Sequence, residues 1–123
     1  MTATPMSRLR ITLVHGTWPR GIIPRKGSLC WFDDGSSFRK LLSEALNEKG
    51  ISCDINAFIW SGENSIWHRH EAALQLENGL TKERRKHRDA PQLIIAYSHG
   101  GNVALRAVSK LASDTPSTEV RKP

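Results

Sequence analysis

The chain has 123 residues, of which 38% are hydrophobic, and its 18 Lys and Arg against 12 Asp and Glu leave a formal net charge of +6. That length suits one domain with a small core. The positive balance favours anionic partners and is silent about fold. Two cysteines, Cys30 and Cys53, are too few for a disulfide framework, and no CxxC pair offers a zinc site. No apolar run approaches the roughly 18 residues of a membrane-spanning helix, and Met1 to Ser7 lacks the apolar stretch of a secretory signal. The expectation is a soluble, cytoplasmic domain without metal or cofactor.

Three apolar, β-rich runs stand out in chain order: Leu9 to Val14, Ile55 to Trp60 and Leu93 to Tyr97. Near-continuous apolar runs of this length suit strands buried on both faces of a parallel sheet. Turn chemistry and then a helical pattern follow each one. After the first come His15-Gly16-Thr17-Trp18, a long loop, and Phe38, Leu41, Leu42, Ala45 and Leu46 at the spacing of one helix face. Ser36 or Ser37 can cap that helix, and Gly50 can end it in a left-handed turn. After the second run, Ser65 is placed to cap a helix that buries Ala72, Ala73, Leu76 and Leu80. After the third, Tyr97-Ser98-His99-Gly100-Gly101 leads into Val103, Ala104, Ala107, Val108 and Leu111. Residues 113–123 are polar, carry two prolines and read as a frayed tail, leaving 1–112 as the domain. Strand–helix alternation three times over predicts βαβ units, hence an α/β fold in three layers with a parallel sheet. The segments at 15–18, 61–65 and 97–101 should then converge beyond the carboxyl ends of the strands.

The most informative stretch runs from Ile94 to Leu105. A buried strand turns sharply into a helix with Ser98 at the corner and small residues, Ala96 and Gly100, two places before and after it. A serine in so tight a turn crowds those neighbours, and its hydroxyl is lifted to a helix N-terminus, where N–H groups favour developing negative charge. This pattern resembles the nucleophile elbow of the α/β-hydrolase superfamily, in an A-x-S-x-G form. Leu13-Val14-His15-Gly16-Thr17-Trp18 is similar to the His-Gly motif that ends an earlier strand in that family. The resemblance spans about residues 8 to 112. It implies that Ser98 attacks an acyl carbon of a small-molecule or lipid ester, lipase- or esterase-like, through an acyl-enzyme and without a cofactor. It further implies that the backbone N–H groups of His99 and of Thr17 or Trp18 bind the oxyanion.

The family's triad runs nucleophile, acid, histidine in chain order. This sequence has no histidine after His99, and its only acids after Ser98 are Asp114 and Glu119. The chain thus reads as the N-terminal part of such an enzyme, its base and acid supplied elsewhere or lost. An isolated hydroxyl is a poor nucleophile, so the competing reading is a catalytically incomplete fragment that acts, if at all, by association. In the full fold the third strand is interior. Here one of its edges would be open and apolar, which implies homo-oligomerisation through that edge. His15, His68, His70 and His99 are the local histidines, each read as structural or solvated, with His15 also a candidate to border the substrate pocket.

Other features are weaker. The loop from Trp18 to Ser37 is long enough to line an acyl pocket through Trp18, Ile22, Ile23 and Trp31. Within it, Gly21 to Ser28 is not a phosphate loop, because Lys and Gly stand in the wrong order. Asn64 can meet substrate or brace the His-Gly loop, though a turn explains it as well. The basic run Lys82 to Arg88 reads as a solvated helix end. It leaves membrane-surface contact weakly supported, and no aromatic interleaving points to nucleic acid.

Overall fold

The computed structural model describes residues 8–17 and 29–114. It contains β1 (Leu9–Val14), α1 (Ser37–Glu48), β2 (Cys53–Phe58), α2 (Ile66–Lys86), β3 (Gln92–Ala96) and α3 (Gly100–Asp114). The three strands form one parallel sheet in the order β2-β1-β3. This is a mixed α/β fold with the alternation expected from the sequence.

The helices segregate to opposite faces. Ile11 and Leu13 of β1 share one cluster with Phe32 and the half-buried Phe38, Leu42 and Leu46 of α1. Val14 points the other way, into a cluster with Ala72, Ala73, Leu76 and Leu80 of α2 and Val103, Ala104 and Ala107 of α3. The chain moves one way across the sheet from β1 to β2, then back past β1 to β3. Crossovers of one hand that reverse direction must place their helices on opposite faces.

Helix ends follow local chemistry. The Ser36 hydroxyl accepts from Arg39 N, and that of Ser65 accepts from His68 N. Gly50, with φ 75°, takes the left-handed turn that releases the chain from α1.

Several expectations shift. The second strand spans Cys53–Phe58 and not Ile55 to Trp60, because Trp60 leaves the ladder to bond His15, while Asp54 is tolerated beside Arg8 and Arg10. The third is Gln92–Ala96, with Tyr97 just outside although its N–H still reaches Val14 O at 3.1 Å. Burial on both faces holds for central β1 alone. The outer strands have half-buried and exposed positions, Leu93 being 43% exposed. Leu41 of α1 and Val108 of α3 are exposed, since each helix docks a narrower stripe than its apolar pattern offers. The supposed tail boundary at 112/113 falls inside α3, which continues to Asp114.

Candidate active site

Open α/β sheets bind ligands where neighbouring strands send their following helices to opposite faces. In this fold that crevice lies between the carboxyl ends of β1 and β3, which lead toward α1 on one face and α3 on the other. Gly16 and Ser98 occupy it.

Ser98 has φ 57° and is the non-glycine residue with positive φ among those described. A side chain there costs on the order of 1–3 kcal/mol unless the surroundings hold it. They do so through backbone. Tyr97 N donates to Val14 O, Gly100 N to Tyr97 O and Gly101 N to Ser98 O, the latter two at 2.9 Å. Gly100 lies against the end of β1: a Cβ there would sit 2.5 Å from Val14 O and 2.9 Å from His15 C. Gly16 closes from the other side, where a Cβ would fall 3.0 Å from both Ser98 Cβ and Tyr97 O and 3.5 Å from Ser98 Oγ. Bare backbone therefore packs the serine on two sides.

His15, expected near a pocket, lies beneath the corner. It is 1% exposed, with its ring 4.9 Å from that of Phe32 and stacked 5.4 Å from that of Trp60. Nδ1 sits 2.8 Å from Gly16 O, which can only accept, so Nδ1 carries the proton. Nε2 accepts from Trp60 N at 3.1 Å, and the Trp60 indole donates back to His15 O at 2.9 Å. The histidine thus ties the end of β1 to Trp60, two residues past β2, and fixes the Gly16 carbonyl. Its role here is positional.

The other sequence candidates divide. Trp31 is half-buried, packed edge-on against Phe32 and Phe38 and 6.4 Å from the Tyr97 ring, so it borders the corner. Thr17 follows Gly16, half-buried in a bend. Trp18, together with Ile22, Ile23 and the Gly21–Ser28 segment, lies outside the described residues. Asn64 is exposed, and its Oδ1 accepts from Arg69 Nη1 at 3.0 Å. The same guanidinium nitrogen stands 3.5 Å from His99 Nδ1. Arg69, not singled out from the sequence, therefore links the turn after β2 to the residue following Ser98. Its position one turn into α2, four residues past the Ser65 cap, is the signal that locates it at the strand ends.

The remaining histidines are engaged elsewhere. His68 Nε2 lies 3.0 Å from Glu63 Oε2, and His70 Nδ1 lies 3.1 Å from Arg106 Nη1. No described residue hydrogen-bonds the Ser98 hydroxyl, and none accepts from the backbone N–H of His99. Among the described residues no group of three or more His, Cys, Asp or Glu is arranged to hold a metal, and no helix is long and apolar enough to cross a membrane. The basic residues Arg84, Arg85 and Lys86 sit in the last turn of α2, at the opposite end of the sheet, where Arg10 bridges Asp54 and Glu83.

Fold and site together define a parallel α/β protein with a left-handed serine in its switch-point crevice. Comparison of the chain with protein-family models, curated proteins and solved structures finds no match in any of the three.

Proposed function

We propose that this chain is a cytoplasmic serine-hydrolase-type domain with an α/β-hydrolase-like core, in which Ser98 is the nucleophile for ester or lipid ester hydrolysis. The observation that carries the reading is the φ of 57° at Ser98, enforced by the close backbone approaches of Gly16 and Gly100. Strain of this kind persists where the surroundings over-determine it, and it gathers at sites of function. The turn sets the hydroxyl at the N-terminus of a 15-residue helix, whose dipole favours an anion.

The chemistry follows from the placement. Ser98 Oγ adds to the ester carbonyl carbon and loses its proton to a base. The carbonyl oxygen becomes an oxyanion, facing the His99 N–H and the N–H after Gly16. Collapse breaks the carbon–oxygen bond to the alcohol, and water then releases the acid from Ser98. One oxyanion donor contributes about 2.7–4 kcal/mol in comparable sites. Arg69 steadies the residue that supplies the first donor. No base bonds the Ser98 hydroxyl among the described residues, so on this reading the corner contributes the nucleophile and the oxyanion donors.

That hydroxyl, without a hydrogen-bond partner among the described residues, favours a second reading, a catalytically incomplete module that works by association. A fluorophosphonate probe with mass spectrometry separates the two. Labelling of folded protein at Ser98, abolished in Ser98→Ala, is the expected result. A folded sample that takes no label sinks the hydrolase reading and leaves the second.

A further inference from the structure

The two edges of the sheet are finished differently, and the difference follows from the ladder. In a parallel pair each residue aims its N–H and C=O to the same side, alternating along the strand. Leu9 N bonds Ser52 O, so even-numbered residues of β2 face β1 and Cys53, Ile55 and Ala57 face outward. Two of those three outward carbonyls are occupied. Arg8 Nη2 donates to Cys53 O at 2.8 Å, and Arg39 Nη2 donates to Ile55 O. Capping with cations is a recognised way to blunt a sheet edge.

On the other side Arg10 N bonds Pro91 O and Tyr97 N bonds Val14 O. Odd-numbered residues of β3 therefore face β1, and Gln92, Ile94 and Ala96 turn their backbone groups outward. No described residue caps them, and the run Gln92-Leu93-Ile94-Ile95-Ala96-Tyr97 holds no charge. Arg106, Ser109 and Lys110 line the groove of α3 with α2, which puts Val108, 46% exposed, on the opposite flank of the helix.

We infer that the β3 edge is a self-association surface, and that its partner is a second copy of this chain paired antiparallel about Ile94. In that register Ile94 meets Ile94 of the second copy, and Gln92 meets its Ala96. Outward groups then exchange hydrogen bonds pairwise, Leu93 lies across from Ile95, and no like charges oppose. Two three-stranded sheets become one, and both remaining outer edges are the arginine-capped β2 strands, so the assembly closes at a dimer. The complementarity is of β3 with itself, which selects a second copy over a strand of an unrelated protein. The inference stands whether or not Ser98 is a nucleophile.

The formal charge of +6 on each copy opposes pairing, and salt screens it. Sedimentation velocity over a protein and salt series should show a monomer–dimer equilibrium that tightens as salt rises. Hydrogen exchange should show the amides of Gln92, Ile94 and Ala96 gaining protection with protein concentration. Gln92→Lys, at an exposed position whose backbone N–H and C=O point away from β1, should weaken the dimer about tenfold or more and keep the monomer's circular dichroism. A strict monomer throughout, or a dimer indifferent to Gln92→Lys with those amides unprotected, overturns the inference.

Discussion

At Ser98 the backbone adopts an angle that L-residues avoid, and two glycines make it tolerable by leaving no side chain in the way. Gly100 and Gly101 are adjacent in sequence and unlike in function. A methyl at Gly100 would meet the carbonyls of Val14 and His15, which belong to the backbone of β1 and its exit and cannot step aside. A methyl at Gly101 meets nothing within 4 Å. Gly100→Ala should therefore lose about 2–3 kcal/mol of stability through overpacking, whereas Gly101→Ala should gain up to about 1 kcal/mol from helix propensity. Urea unfolding of the two variants measures both. Equal effects would show that the corner is looser than its contacts imply. The sequence marks the serine and its small neighbours, yet it does not distinguish the two glycines, because only the approach of β1 does so.

Helices α1 and α2 each begin after a serine cap, but the two caps carry different weight. Ser65 accepts a single hydrogen bond, from His68 N at 3.3 Å. Ser36 is buried, accepts from Arg39 N, and also donates to Trp31 O at 2.7 Å, which pins the loop that carries Trp31 and Phe32. Ser65→Ala should cost about 1 kcal/mol. Ser36→Ala should cost about 2 kcal/mol, because it also orphans a carbonyl. Thermal melts that rank the two in reverse would contradict this account. The Ser65 cap, the α1 cap to within Ser36 or Ser37, and the buried stripe of α2 were legible in the sequence, since capping and 3.6-residue periodicity are local. Strand ends were less so: Trp60 is apolar enough to extend a strand, but His15, 45 residues earlier, takes its N–H. No local pattern announces such a bond.

For the molecule as a whole, the decisive fact is how a three-stranded sheet treats its edges. Arg39 reaches from α1 to Phe32 O and to Ile55 O on the β2 edge. Removing it should open the edge that the dimer leaves outward. Arg39→Ala is expected to convert a closed dimer into open-ended association, seen as light scattering that keeps rising with protein concentration. Scattering unchanged from the parent protein would mean that Arg39 does not guard that edge.

The alternation of apolar runs and amphipathic stretches was enough to specify a parallel α/β protein and to bring the Gly16 and Ser98 corners to the same end of the sheet. Strand direction and helix periodicity are properties of short segments, and loops of these lengths leave few ways to connect them. The contacts that give those corners their chemistry were not so readable. The left-handed angle at Ser98, the burial of His15 beneath it, the Arg69 link to His99 and the capping of the β2 edge by Arg8 and Arg39 each join residues far apart in the chain. They are settled by packing between elements, which acts only once the strands have taken their order.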